Sequence, residues 1–293
     1  MAGLKEIRKR IQSVKNTQKI TRAMKMVAAS KLRKAQTAMQ NIRRYSDELR
    51  HLAGVLADKV DCTHPLMVPR KTVRTEALIV VSGDRGLCGS FNANVARHAR
   101  RKADALQKEG IRPVLFFIGR KAAESLRNHP AGKDIRFVGL LGDLSFDAMY
   151  DVVDFLAQGF LFGDYDRVTV VFNRFKSAVA QEVAEEQLFP ITENIFEKHE
   201  LSGDEAGRDI VFEPSASALA DYVVPRFAAT ELYHDLVESA ASELSARMNS
   251  MEAATKNAAE MIGRLVISYN KERQNAITTE LMEIVGGAEA LKG

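Results

Sequence analysis

The residues with the clearest capacity for chemistry lie in one glycine-rich segment, residues 82–92, which reads SGDRGLCGSFN. A glycine-rich turn between a strand and a helix often holds phosphate through the backbone amides at the helix start. This spacing matches neither GxGxxG nor GxxxxGKS or GxxxxGKT, since no lysine follows the last glycine and no Ser or Thr is placed for magnesium. Asp84 would also repel a phosphate. We therefore favour a structural or partner-contacting turn over a nucleotide site.

Nucleophilic and metal chemistry find little support in the residue types. Cys88 could act as a nucleophile, but no histidine lies near it in the sequence, so we favour a spectator thiol. With Cys62 as the second cysteine, the chain has too few thiols for a disulfide framework. The six histidines contain no HExxH pattern and no ligand pairing. The sequence therefore predicts no catalytic residue, no metal and no cofactor.

The charge of the chain is concentrated at its amino terminus. The formal net charge is +4, yet residues 1–50 hold 14 Lys and Arg against 3 Asp and Glu. Tyr45 is the single aromatic residue there, so nucleic-acid binding would rest on phosphate contacts alone. A basic helix can also lie on a membrane or meet an acidic protein surface. We rank a mechanical or scaffolding protein first and a basic coiled-coil nucleic-acid binder second.

Both ends of the chain have the composition of long helices, because all seven prolines lie between Pro65 and Pro225. A 3,4 repeat of positions from Leu4 to Ala53 is apolar at eleven of fifteen places. Three exceptions follow one another: Gln18, Thr21 and Lys25. Apolar residues stand beside them at Ile20, Met24 and Val27. We expect the apolar stripe to turn there and the paired part of this helix to end nearby.

The carboxy-terminal segment repeats the pattern, with nine of ten positions from Val237 to Tyr269 apolar or aromatic. Helices of 50 and 60 residues are about 75 and 90 Å long, too long for a compact domain of this size. We expect the two helices to pair as an antiparallel coiled coil, with two separate helices in a bundle as the alternative. Pro225 should kink or restart the second helix.

The middle of the chain alternates between two periodicities. Strands are predicted at residues 77–82, 113–118, 135–140 and 167–172, with helices at 92–108, 120–128 and 146–158 between them. Strands alternating with helices indicate βαβ units, so we expect an α/β domain with a largely parallel sheet. The expected domain boundaries complete this description: amino-terminal coiled-coil helix 1–58, linker 59–75, α/β domain 76–196, linker 197–214, and carboxy-terminal coiled-coil helix 215–293.

Three motifs resemble one family. Residues 11–31, IQSVKNTQKITRAMKMVAASK, resemble the amino-terminal helix of the γ subunit of F-type ATP synthase. The segment DRGLCG at residues 84–89, followed by Phe91 and Asn92, is similar to that family's central signature. Near the end, residues 242–288 carry SE, ARM, AT, YN, RQ, IT and EIVGGA in the family's order. The resemblance covers essentially the whole chain.

The resemblance implies a rotor shaft: an antiparallel coiled coil of the terminal helices with an α/β domain at its foot. The implied partners are a hexameric ring of α and β subunits, the ε subunit and the membrane-embedded c-ring. Proton flow would turn the c-ring and this chain together, and the chain would drive and regulate the catalytic sites, which belong to β. The chain itself would need no cofactor.

The resemblance also assigns coupling positions, carried over by motif: Met24, Arg247, Arg273, Gln274, Thr278 and Glu280 on the shaft. The turn from Arg85 to Cys88 would lie near an acidic segment of β. Arg247, Arg273 and Gln274 would contact polar groups of β and α. For each position, helix solubility or simple packing is the alternative reading.

The expected location follows from what the sequence lacks. The longest stretch without a charged residue is residues 86–96, far short of the about 18–20 apolar residues that a membrane helix needs. The first residues resemble neither a signal peptide nor a transit peptide. We therefore expect a peripheral protein on the cytoplasmic face of a bacterial inner membrane. The cysteine-bearing segment of the chloroplast proteins is also missing, so thiol regulation is not expected.

Overall fold

The structure, a computed structural model, describes residues 2–59, 64–142, 144–192, 213 and 215–290. Its elements, in chain order, are α1 Ala2–Lys59, a 3₁₀ turn Pro65–Met67, β1 Thr75–Val81, α2 Phe91–Lys108, β2 Arg112–Ile118, α3 Arg120–Leu126, β3 Gly132–Phe137, α4 Phe146–Phe162, β4 Arg167–Phe175, β5 Gln181–Phe189 and α5 Ala216–Ala290. The linker expected at 197–214 lies outside the described residues except for Glu213.

The chain divides into two compact units, and the division falls within both terminal helices. One unit consists of Met1–Ala29 and Arg247–Gly293, and the other of Ser30–Ala246. The second unit therefore contains the sheet together with parts of α1 and α5. No described helix is long and apolar enough to cross a membrane.

The sheet of the second unit has five strands in the order β3-β2-β1-β4-β5. β1 pairs in parallel with β2 and β4, and β2 pairs in parallel with β3. This confirms the α/β fold with a largely parallel sheet. β5, which is antiparallel to β4, was not predicted, because its sequence QEVAEEQLF alternates charged residues with few apolar ones. The third strand also begins and ends three residues before the predicted 135–140.

Both faces of the sheet are covered, as parallel strands require. Alternate side chains such as Leu78 and Phe117 face α2 and α3 in one core cluster. The opposite side chains, such as Phe116 and Phe172, pack in a second cluster with α4 and the first part of α5. The α5 residues buried in that cluster are Ala220, Val223, Val224, Phe227, Ala228, Ala229, Leu232 and Leu236.

Of the two effects expected at Pro225, a kink or a restart, the restart does not occur: α5 runs through Pro225 from Ala216 to Ala290. A proline within a helix costs about 3 kcal/mol, because it removes one backbone hydrogen bond and crowds the preceding turn. Val223, Val224 and Phe227 are each at most 4% exposed. Burying such side chains contributes about 1.5–3 kcal/mol each, which outweighs the loss at the proline.

The terminal helices are antiparallel in the unit formed by the two chain ends, which confirms the predicted orientation. Thr21 Oγ1 lies 2.7 Å from Thr255 Oγ1, and Lys25 Nζ lies 2.6 Å from Glu252 Oε1. The partner number on α5 falls as the number on α1 rises. In the other unit the same two helices meet where Ser46 Oγ donates to Glu231 Oε1 at 2.5 Å.

The apolar stripe of α1 does not turn at the three polar positions, contrary to our expectation. Gln18 and Lys25 are half-buried and Thr21 is 8% exposed, whereas Ile20 and Val27 are exposed. Pairing also continues toward the chain start, since Leu4, Ile7, Ile11 and Val14 are all half-buried. The contact between α1 and α5 accommodates these polar residues because Thr21 and Lys25 meet polar partners on α5.

We predict that Gly119→Ala severely destabilises the sheet unit. Gly119 has φ +91°, and an added Cβ would lie 1.9 Å from the Ser82 carbonyl oxygen, so the backbone between β2 and α3 would have to move. The expected loss is about 3 kcal/mol or more in urea unfolding of the full-length chain.

Gly110→Ala is the matched control. Gly110 also has a positive φ, +78°, but an added Cβ would meet nothing within 4 Å. That variant should lose only about 1–2 kcal/mol, the cost of the left-handed backbone itself. Equal losses in the two variants would contradict the clash as the cause.

Candidate coupling surfaces

The glycine-rich turn connects β1 to α2 and is held from within by one amide side chain. Asn92 Oδ1 accepts the Gly83 N–H at 2.8 Å. Its Nδ2 donates to the Arg85 carbonyl at 3.2 Å and to Cys88 Sγ at 3.1 Å. Leu87 adopts φ +65°, which is uncommon for a residue with a Cβ. These bonds account for the Asn that follows the motif.

Asp84 ties the turn to the neighbouring strand ends. Its Oδ1 accepts the Arg120 N–H at 3.2 Å, and its Oδ2 accepts the Gly139 N–H at 3.1 Å. Arg120 Nε also lies 3.6 Å from the same carboxylate. The carboxylate therefore joins the turn after β1 to the start of α3 and to the loop after β3.

The two contact residues predicted in the turn differ in their accessibility. Arg85 is exposed, and Leu87 beside it is 64% exposed. Cys88 is 1% exposed, with its thiol against the Asn92 amide. In this structure Arg85 is available to a partner, whereas Cys88 shapes the turn from inside. Motif spacing gave no sign of this difference, and it missed Leu87 as a surface residue.

The predicted positions on the helices are spread along the helix axes. Met24 on α1 and Arg247 on α5 are half-buried. Arg273, Gln274, Thr278 and Glu280 are exposed on α5. Met24 stands near the level of Thr255, which is eighteen residues, or about 27 Å, from Arg273. These positions therefore do not converge on one pocket.

The four exposed positions lie on two stripes of α5. Arg273 and Glu280 are seven residues apart and share one face, and Gln274 and Thr278 are four apart and share another. Thr278 Oγ1 donates to the Gln274 carbonyl at 2.9 Å, a bond within the helix. The Gln274 amide, the Arg273 guanidinium and the Glu280 carboxylate are exposed, so a partner protein can reach them.

The carboxy-terminal end of α5 is not covered by any described residue of its unit. The alternation of half-buried residues on α5 stops at Ala276, and residues 277–288 are all exposed. The large apolar side chains among them are 49–68% exposed: Ile277, Leu281, Met282, Ile284 and Val285. Contiguous exposed apolar surface usually marks a binding surface. The sequence signal for it is the end of the 3,4 repeat after Tyr269, followed by further apolar residues.

Comparison with known proteins decides the family. A family model described as ATP synthase matches residues 3–291. The chain is 44% identical over 295 residues to the ATP synthase gamma chain of Geobacter sp. (strain M21), and 42% identical over 300 residues to that of Chlorobaculum tepidum. Each alignment covers 100% of both chains. This chain belongs to the ATP synthase gamma chain family.

Solved structures agree with this membership. A chain of the Tetrahymena thermophila mitochondrial ATP synthase, from a structure of its central stalk and c-ring, is 26% identical with a TM-score of 0.60. That match covers 80% of this chain and 99% of the other. A Euglena gracilis mitochondrial ATP synthase rotor chain, 17% identical with a TM-score of 0.64 over 94% of this chain and 99% of the other, shares the fold.

Among the residues that the structure describes, no three His, Cys, Asp or Glu side chains are grouped to hold a metal ion. The candidate contact surfaces are the exposed side of the turn at Arg85 and Leu87, the exposed faces of α1 and α5, and the apolar end at residues 277–288.

We predict that Asp84→Ala lowers the stability of the chain, whereas Arg85→Ala at the neighbouring position leaves stability unchanged and removes only an exposed contact residue. Asp84→Ala leaves two backbone amides without their acceptor and should cost about 1–3 kcal/mol in urea unfolding. Arg85→Ala removes an exposed side chain and should change stability by no more than about 0.5 kcal/mol. Similar unfolding midpoints for the two variants would show that Asp84 does not hold the turn in place.

Proposed function

We propose that this chain is the rotor shaft in the central stalk of a bacterial F-type ATP synthase. It would transmit the rotation of a proton-driven c-ring to the catalytic β subunits and regulate ATP hydrolysis and proton flow. The observation that carries the proposal is the exposed apolar end of α5 on an antiparallel helix pair, in a chain whose full-length relatives are gamma chains. The resemblance to a central-stalk chain supports it.

The apolar end supports a bearing role. Five large apolar side chains stand in water along residues 277–288, where burial of each would contribute about 1.5–3 kcal/mol. The proposal places them inside the ring of α and β subunits, which would supply that burial. A ring that must let the helix turn needs apolar contact without fixed hydrogen bonds, and this end offers such a surface.

The two polar stripes of α5 support a role in which the contacts with the ring change with the rotation angle of the shaft. A rotor must bias three catalytic sites among states of different affinity, which requires different contacts at each angle. Arg273 with Glu280 and Gln274 with Thr278 occupy different faces of the same helix, so rotation would present them in turn. We propose that these four, with Arg247 and Met24, are the shaft positions that influence coupling. Arg85 would contact an acidic segment of β.

The basic residues of α1 support an acidic partner. Seven of them in the first 22 positions are exposed: Lys5, Arg8, Lys9, Arg10, Lys15, Lys19 and Arg22. We propose that they face acidic surface of the ring, whereas ε and the c-ring meet the α/β foot. A nucleic-acid-binding role is not supported, because the relatives that match over the full chain are ATP synthase gamma chains.

The finer points of location and catalysis belong to the same proposal. We place the chain on the cytoplasmic face of the bacterial inner membrane, held there through the complex. Catalysis would reside in the β subunits, and this chain would contribute contacts and no reacting group. An exposed apolar end and two exposed polar stripes on the same helix support a mechanical role.

The experiment that tests this function is magnesium-dependent ATP hydrolysis by purified α and β subunits, with and without this chain. We expect sustained activity and a stable stoichiometric complex only in the three-part mixture, because this chain supplies the asymmetry that lets the sites alternate. The chain alone is the control and should hydrolyse nothing. Activity in the isolated chain, or no complex with matched α and β subunits, would contradict the proposal.

We predict that Met24→Lys impairs coupling. The new lysine would lie beside the contact between α1 and α5, and its ammonium would form an ion pair with an acidic group of the ring in one rotary state. An ion pair of about 1 kcal/mol changes the occupancy of that state about five-fold. Coupling is measured as proton pumping per ATP hydrolysed in inverted membrane vesicles, and it should fall while hydrolysis continues.

Met24→Leu is the control, since it keeps an apolar side chain of similar volume and should keep the coupling ratio. An unchanged ratio in Met24→Lys, with the complex assembled, would remove Met24 from the coupling positions. A loss in both variants would show that packing, not charge, is what the position contributes.

A further inference from the structure

A cavity lies between the carboxy-terminal half of β5 and residues 227–235 of α5, within the sheet unit. Its volume is about 400 Å³, within the range of small-molecule sites. Val170, Leu188 and Phe227 form apolar wall, and Glu186, Glu231 and Asp235 contribute carboxylates. The cavity therefore combines apolar surface with a concentration of negative charge.

Asp235 is the unusual member of the lining. It is 2% exposed, and its Oδ1 has no hydrogen-bond partner among the residues that the structure describes. The nearest cationic atom is His234 Nδ1 at 4.0 Å, beyond hydrogen-bond distance. Burying an ionised carboxylate in this way is costly unless a cation compensates it. Asp235 is one of the residues that line the cavity.

The other carboxylates around the cavity already have partners. Glu231 accepts hydrogen bonds from Ser46 and Arg50 of α1. Glu186 pairs with Arg174 of β4, and Glu185 pairs with His98 and Lys102 of α2. Among these carboxylates, Asp235 is therefore the one with an oxygen, Oδ1, that no described residue satisfies.

The groups packed around Asp235 determine the direction in which its pKa is shifted. Burial raises the pKa of Asp235 well above its usual range; His234 opposes this, and Glu186 of β5 and Glu231 of α5 add to it. Glu238, whose pKa burial also raises, faces Arg174 of β4 at 3.8 Å, and Arg50 of α1 is engaged with Glu231. A cation that binds beside Asp235 would favour its ionised form and so displace a proton.

We propose that this cavity binds a cationic head group on an alkyl stem, a guanidinium or an ammonium, with its head on Asp235. A bare metal ion fits less well, because the described carboxylates include no group of three placed to hold one. The stem would pack against Val170, Leu188 and Phe227, as arginine and lysine stems pack on apolar surface. The site is independent of the rotor role.

The test uses agmatine, an alkyl guanidinium, titrated into the full-length chain by isothermal calorimetry in two buffers of different ionisation enthalpy. We expect one site, proton release on binding, and affinity that rises with pH as the Asp235 proton becomes easier to displace. Asp235→Asn keeps the shape but cannot ionise, so it should bind at least about ten-fold more weakly and release no proton.

Two controls isolate the carboxylate. Glu182→Gln removes an exposed carboxylate of the same strand that does not line the cavity, and it should bind agmatine as the parent does. n-Butylguanidinium, which keeps the guanidinium head and alkyl stem but lacks the second cation of agmatine, should bind as well, whereas its neutral analogue n-butylurea should not. Thermal unfolding checks that Asp235→Asn is folded, and the pH dependence of the parent tests the proposal without any variant.

Absence of agmatine binding to the parent, or equal affinity and equal proton release in Asp235→Asn, would overturn the proposal. A second arm identifies the source of the cation, with the chain assembled with α, β and ε subunits. Loss of agmatine binding in the assembly would show that a partner's basic side chain fills the cavity. Unchanged binding there would assign the site to a free alkyl cation.

Discussion

The sheet depends on one packing requirement, the burial of its second face, and α5 meets much of that requirement. Phe227, Leu232 and Leu236 are at most 1% exposed in the same cluster as Phe172 and Phe189. A mostly parallel sheet with a bare face would leave hydrophobic strands in water. The helix that completes this core continues without interruption to Ala290. Its first third therefore cannot be regarded as a flexible connection, because it is part of the core.

The polar residues along the contact between α1 and α5 have a different role: they fix the register of the two helices. An uninterrupted apolar stripe allows two helices to slide by a turn at small cost, whereas a buried polar pair matches in one alignment only. Thr21 faces Thr255 at 2.7 Å, and Lys25 meets Glu252 one turn further along α1. The pattern that suggested a turning stripe is thus better explained as a seam with polar contacts at one level.

Three of the four strands that the sequence predicted, β1, β2 and β4, contain runs of buried apolar residues. The fourth, β3, lies three residues before its predicted position. β5 is not predicted because Glu185 and Glu186 make its sequence polar. Their ion-pair partners, Lys102 and Arg174, are distant in sequence and come close only in the folded chain. The turn motif likewise located the candidate surface but not its accessible side. Which residue points outward depends on how the Asn92 amide closes the turn, and spacing alone does not encode that closure.

Charge is used in opposite ways in the two units. Carboxylates of the sheet unit are engaged within it: Glu76 meets Arg167 and Thr169, and Glu231 meets Arg50. On α1 the first basic residues are exposed, and like charges so close together repel one another. That repulsion destabilises the free chain, and an acidic surface on a partner would relieve it. The modest net charge of +4 therefore conceals an exposed basic face on α1.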